Sequence, residues 1–232
     1  MIETNRFSLT NRKNMKSLPT KNDAEAVLVA YFRILTNRFD NTLSRASDAP
    51  MSNAYFFGYG SLVNTHTHTY GETAKARLVG WERVWRTTTL REVPFLTVRP
   101  AKVTTIDGLI AHVPGNDWAQ LDAREYGYDR LNPPVLHDKG DGLDIATYVV
   151  PDRLIAPGQK GAILLSYLDV VVQGFLAEFG EAGVRRFFDT TSGWDHPIDN
   201  DRKDPKYPRH QTLSSDETDL VTSELARVGH RI

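Results

Sequence analysis

Glu125 closes a short run, Leu121-Asp122-Ala123-Arg124-Glu125, that reads as a small helix. A carboxylate at a helix C-terminus meets the negative end of the dipole, and partial burial acts in the same direction. Both push its pKa toward neutrality, which suits a group that takes a proton and then returns it. The plainer reading is an exposed helix-end residue paired with Arg124 or Lys139. Asp122, on a neighbouring face, reads as a structural partner of Arg124 or of a backbone N–H. Tyr128 fits either a cavity wall whose hydroxyl bonds a ligand or a core aromatic, while Tyr148, in mid-strand, reads as core.

Upstream, the apolar run Tyr55-Phe56-Phe57 leads into Gly58-Tyr59-Gly60-Ser61-Leu62-Val63. A dinucleotide fingerprint requires glycine where Val63 stands and a helix directly after, and Asn64-Thr65-His66-Thr67-His68 is a poor helix start. A phosphate loop requires Gly-Lys-Ser/Thr, which is missing. A nucleophile elbow requires glycines where Tyr59 and Val63 stand. Ser61 with a distant His and Asp is a further reading, and it predicts labelling by a serine-directed phosphonate. Two simpler possibilities stay open. The turn is either a nest of backbone N–H groups suited to a carboxylate, or a tight turn that binds nothing.

His66 and His68 would share a face of an extended segment, but no third metal ligand is evident and a solvated loop is the plainer reading. Arg83, Arg86 and Arg91, interleaved with Trp81 and Trp85, hint at a nucleic-acid surface. Glu82 and Glu92 interrupt it, and 28 Lys and Arg against 29 Asp and Glu leave a formal charge of -1. Neither nucleic acid nor an acidic membrane surface is therefore expected as a partner. The chain has no cysteine, which excludes disulfides, Cys-ligated zinc, iron–sulfur clusters and thiol catalysis. No apolar run approaches the roughly 18 residues of a membrane span. Residues 1–22 lack the apolar segment of a secretory signal, so a cytoplasmic location is expected.

These residues must be positioned by a chain of 232 residues, 40% hydrophobic and 25% charged. That is enough for one full domain with an extension, or two small ones. Residues 1–50 contain no glycine and carry net positive charge. They read as a basic tail followed by an amphipathic helix with Leu28, Tyr31, Phe32, Leu35, Phe39 and Leu43 on one stripe. The expected main domain covers 51–232. Strands are expected at Tyr55–Phe57, Arg77–Thr89, Phe95–Arg99 (closed by Pro100) and Asp144–Val150. A hairpin is expected over Val103–Val113, turned at Asp107-Gly108. Asn116 or Asp117 would cap the helix ending at Glu125. Ile163–Phe179 forms a broad apolar helix stopped at Gly180, with shorter helices over Val184–Phe188 and Asp216–Arg227. Residues 195–210, rich in proline and mixed charge, read as extended and solvated. Strands first and helices later indicate an α+β fold.

Phe57-Gly58-Tyr59-Gly60-Ser61-Leu62 resembles the hallmark loop of the γ-glutamylcyclotransferase-like superfamily. Leu121-Asp122-Ala123-Arg124-Glu125-Tyr126-Gly127-Tyr128 is similar to its second hallmark, a glutamate on a short helix. The resemblance covers about residues 54–150. Ser166-Tyr167-Leu168-Asp169 and Gly193-Trp194-Asp195 extend it to a bacterial subgroup with a helical C-terminal third. It implies a small mixed β-barrel with flanking helices and a cavity at one mouth. It also implies a reaction without metal or cofactor, in which the α-amine of a γ-glutamyl group attacks its own side-chain amide. 5-Oxoproline forms and the amine or peptide leaves. By the same resemblance, Glu125 is the general acid/base, and Tyr59, Gly60, Ser61, Leu62 and Tyr128 bind substrate. The expected partner is a small γ-glutamyl amide or peptide, with any oligomeric partner unknown. The alternative is a binding module that keeps the fold and cavity without the reaction.

Overall fold

The structure is a computed structural model that describes residues 53–159 and 161–232. All of these lie in one of two compact units, Pro50–Ile232. The tail and amphipathic helix expected over residues 1–50 lie outside the described residues.

β1 (Ala54–Gly58) is buried along its whole length, as its unbroken apolar sequence requires. It runs antiparallel to β3 (Arg91–His112) and parallel to β6 (Asp144–Val149). β2 (Ala74–Thr88) forms a long hairpin with β3. Around these, β4 (Asp129–Leu131), β5 (Val135–His137) and β8 (Thr191–Ser192) complete a seven-stranded mixed sheet. Its order is β4-β6-β1-β3-β2-β5, and β8 pairs with β2. The sheet curls into a half-barrel, with β4 at one edge and β5 and β8 sharing the other along β2. A separate pair joins β7 (Ile163–Leu164) to β9 (Ile198–Asp199). Three helices flank the sheet: α1 (Ala119–Arg124), α2 (Leu165–Asp189) and α3 (Ser215–Arg227). The α+β class and the barrel-with-helices architecture match the expectation.

The hairpin turn is not at Asp107-Gly108. β2 and β3 join through Thr89 and Leu90, with Thr88 opposite Arg91, and Asp107-Gly108 lies within β3 opposite Arg77 and Ala76. Gly108 serves close packing instead of a turn, because a Cβ there would come within 2.4 Å of the Gly58 carbonyl oxygen. Pro100 likewise lies within β3, opposite Trp81, at a bulge centred on Gly80 and residues 101–104. α1 starts one residue later than expected. Asp117 caps it from outside, with its carboxylate accepting the Ala119 N–H at 3.0 Å. At Gly180, where φ is 65°, α2 breaks into two helical pieces, as expected from the stop signal there. α3 begins in a reciprocal capping box between Ser214 and Glu217.

The main core lies between the inner face of the sheet and α2. Tyr55, Phe57, Leu78, Trp85 and Leu109 meet Leu168, Val171, Phe175 and Phe187 there. A smaller cluster of Phe56, Leu62, Val113, Leu121 and Tyr148 seats α1 on the other face. These two packings hold the loop after β1 and the end of α1 at one place. No helix among the described residues is long and apolar enough to cross a membrane.

Candidate functional site

β1 ends at Gly58, and Ser61–Val63 then forms one 3-10 turn. The turn bonds the Val63 N–H to the Gly60 carbonyl at 2.9 Å and the Asn64 N–H to the Ser61 carbonyl at 3.2 Å. The N–H groups at its front, from Gly60 to Leu62, lie outside that bonding pattern, as at any helical N-terminus. A Cβ on Gly60 would approach the Tyr167 hydroxyl to 2.9 Å and Leu96 Cδ2 to 3.2 Å, so a side chain here would displace Tyr167 or Leu96.

Two side chains far apart in sequence hold the turn. Arg83 is fully buried (0% exposed). It donates Nε to the Tyr59 carbonyl at 2.8 Å, Nη1 to Thr190 Oγ1 at 2.9 Å and Nη2 to the Asp107 carbonyl. Its guanidinium also lies over Phe175 and Phe187. Burial lowers its proton affinity. Charge-assisted hydrogen bonds and aromatic faces are what keep such a group cationic. Asn64 donates Nδ2 to the Val170 carbonyl and to Gln173 Oε1, both at 3.0 Å, and so ties the turn to α2.

Glu125 is the C-cap of α1, its N–H bonded to the Leu121 carbonyl at 2.9 Å. Its side chain is 16% exposed, and Oε1 lies 3.2 Å from Arg124 Nε. Burial raises its pKa, while Arg124, Arg209 and Arg91 act against that rise. Arg124 also donates to the Thr67 carbonyl at 3.0 Å, to Thr67 Oγ1 at 3.1 Å and to Ser61 Oγ at 3.4 Å. One guanidinium thus bridges the helix that carries Glu125 to the glycine turn.

Glu125 and the segment Tyr59–Leu62 line one cavity of about 310 Å³, together with Tyr128, Tyr148 and Tyr167. All six expected site residues therefore meet at one place. Tyr128 is a wall, but its hydroxyl donates to the Leu96 carbonyl at 2.9 Å instead of pointing a free donor at a ligand. Tyr148, expected in the core, lines the cavity too, and its hydroxyl donates to Asp122 at 2.6 Å. Asp122 is thus a structural partner, of Tyr148 and of Arg130 at 3.2 Å. Lys139 is engaged elsewhere, with Glu72. Burial pushes the Tyr167 phenol up, and Tyr207 and Glu125 add to this, while hydrogen bonds from Ser61 oppose it.

Ser61 has Arg124 as a side-chain partner, and the nearby His68 ring is engaged by the Leu62 carbonyl at 3.1 Å and the Tyr70 N–H at 3.2 Å. No group of three or more potential metal ligands occurs among the described residues.

The sequence left Arg83, Tyr167 and Tyr207 unassigned to the site. The segment 195–210 is also less solvated than expected. Asp201 is buried and accepts hydrogen bonds from the Ser166 N–H at 2.8 Å, Ser166 Oγ at 2.6 Å and the Lys206 N–H at 2.9 Å. This clasp brings Tyr207 edge-on to Tyr167, with ring centroids 5.0 Å apart.

The half-barrel thus brings a buried carboxylate and a glycine turn to one aromatic-walled cavity. A family model described as gamma-glutamyl cyclotransferase, AIG2-like, matches residues 56–166. An uncharacterized protein from Homo sapiens shares 16% identity at a TM-score of 0.50, over 74% of this chain and 99% of that one. A structure named gamma-glutamyl cyclotransferase shares 15% identity at a TM-score of 0.47, over 73% and 98%. YkqA from Bacillus subtilis shares 19% at a TM-score of 0.45, over 61% of this chain and 56% of YkqA, so the match spans little more than half of that protein. Comparison with curated proteins gives no match. The family match takes in just under half of the chain, including the glycine turn and Glu125, and the human protein shares the fold.

Proposed function

We propose that the chain is a γ-glutamylcyclotransferase-type enzyme that cyclises a γ-glutamyl amide or peptide to 5-oxoproline and releases the amine. One observation carries this reading: Glu125, a carboxylate whose pKa burial raises, and the glycine turn Tyr59–Leu62 line the same cavity.

The front N–H groups of the turn receive the substrate α-carboxylate, and Tyr128 and Tyr167 enclose the γ-glutamyl carbons. Glu125 takes a proton from the α-ammonium. The freed amine attacks the γ-carbonyl carbon, so a C–N bond forms within the substrate. As the original amide C–N bond breaks, the departing nitrogen receives its proton from Glu125. Two protons leave the attacking nitrogen and two arrive at the departing one, so one carboxylate can carry them in turn. No enzyme nucleophile is needed, and holding the substrate folded supplies the proximity term.

The test is 5-oxoproline release, followed by mass spectrometry, from glutathione, γ-glutamyl dipeptides and γ-glutamyl amines. The wild type should turn over at least one substrate. Glu125→Gln should lower kcat by about 10²- to 10⁴-fold without loss of fold. Binding of γ-glutamyl compounds with no turnover would favour a binding module. Release that survives Glu125→Gln unchanged would remove Glu125 from the mechanism.

A further inference from the structure

The cavity at Glu125 has a neighbour. Leu96, Tyr128 and Tyr167 wall both it and a second chamber of about 390 Å³. The second chamber adds Trp85, Val93, Leu164 and Tyr207, with Arg91 as its one charged lining residue among those described. A substrate whose γ-carbonyl lies beside Glu125 must place its departing group somewhere past these shared walls. The far chamber lies on the other side of them.

Its chemistry is selective in two ways. The interior is aromatic and apolar. Trp85 is 2% exposed, and its Nε1 is the one buried side-chain nitrogen or oxygen without a hydrogen-bond partner among the described residues. At the solvent side stands Arg91, exposed and stacked on Phe95 with 3.8 Å from guanidinium carbon to ring centroid. Arg91 and Arg209 both lie close enough to act on Glu125. A cationic departing group meets repulsion there and finds no carboxylate lining the far chamber.

We propose that this chamber selects the departing group, and that it takes an α-amino acid with a bulky apolar or aromatic side chain and a free carboxylate. The side chain fills the space between Trp85 and Tyr207, and the carboxylate pairs with Arg91. The proposal rests on the cyclotransferase reading and narrows its substrate class.

Four substrates separate the two ideas: γ-glutamyl-phenylalanine, γ-glutamyl-glycine, γ-glutamyl-phenethylamine and γ-glutamyl-cadaverine. Phenethylamine keeps the ring and lacks the carboxylate, glycine keeps the carboxylate and lacks the ring, and cadaverine brings a cation. In the wild type, kcat/KM for the phenylalanine compound should exceed each of the others by roughly tenfold or more, the scale of a charge-assisted contact or a filled apolar pocket. Arg91→Met should bring the ratio of phenylalanine to phenethylamine kcat/KM toward one, a ratio in which any common effect through Glu125 cancels. Arg91 is exposed, so this variant keeps the fold. Faster turnover of glycine, phenethylamine or cadaverine, still abolished by Glu125→Gln, would overturn the departing-group assignment alone. No 5-oxoproline from any of the four or from glutathione would overturn the reading beneath it, and the assignment with it.

Discussion

Opposing forces act on the Glu125 carboxyl. Burial raises its pKa, and the Arg124 guanidinium 3.2 Å away pulls it back. The net direction is upward, so the acid limb of kcat/KM should lie above the ordinary glutamate value of about 4.3. Arg124→Gln removes the nearest opposing charge and should move that limb further up in a pH–rate profile. A limb at or below the ordinary value would argue against Glu125 as the base. The same shift has a stability consequence. With a folded pKa above the unfolded one, this group's contribution is fully present below about pH 4.3 and is lost as pH rises through the folded value. Glu125→Gln should therefore gain stability over wild type as pH rises across that window, as urea titrations at several pH values would show. That a glutamate stands at this helix end was legible in the sequence, but its burial, which raises its pKa, ran against the plainer reading of an exposed residue. That Arg124 faces inward, with Arg130 going to Asp122, was not, because side-chain direction at a helix terminus depends on what packs opposite.

Strands and helices position these groups through features that periodicity alone does not encode. In β2 the residues turned to the main core are Ala76 and Leu78 before the bulge at Gly80, and Arg83 and Trp85 after it. A one-residue slip exchanges the two faces of a strand. A regular alternation read through Gly80 thus puts Arg83 on the wrong side, which is why it looked like part of a basic surface. The segment after β9 shows a parallel effect. Its charges resemble those of a solvated loop, yet Asp201 is spent inside, on Ser166 and Lys206 at the head of α2. Burial pushes the Asp201 carboxyl up, but these hydrogen bonds outweigh it and hold it below the usual range. Its contribution is therefore present above about pH 3.9 and lost as pH falls through the folded value. Asp201→Asn should cost roughly 1–3 kcal/mol at neutral pH and flatten the acid side of the stability profile. It should also raise KM for large departing groups more than it lowers kcat, since Tyr207 depends on this clasp. Unchanged stability and an unchanged KM would show that the clasp does not hold the chamber wall.

Across the whole domain, the cavity draws residues from position 57 to position 167, contributed by β1, β3, β6, α1 and α2. The resemblance, not spacing alone, named the two ends of the proposed chemistry, the turn and the glutamate. It gave no sign of the connection between them, which is made by contacts between residues distant in sequence. Arg83 is the clearest case. Its three donors reach the turn after β1, the body of β3 and the residue that follows α2, and its flat face meets two phenylalanines of α2. No carboxylate side chain is among its hydrogen-bond partners; the acceptors are two backbone carbonyls and one hydroxyl, so the charge is held by dipoles and ring faces. Arg83→Met would keep much of the volume and leave those three acceptors without their donor in a dry core. Each orphaned group costs about 1–3 kcal/mol, partly recovered by relaxation, so a total loss of roughly 2–4 kcal/mol is expected. Guanidinium denaturation should show this as a lower midpoint with an unchanged slope. Assayed well below its own midpoint, the folded variant should also show weaker substrate binding, because the Tyr59 carbonyl no longer fixes the turn. Arg83→Lys, which can restore only part of the hydrogen bonding, should fall between. If Arg83→Met lost stability but kept wild-type KM, the arginine would belong to the core alone, and the turn would be held by Asn64 and α2.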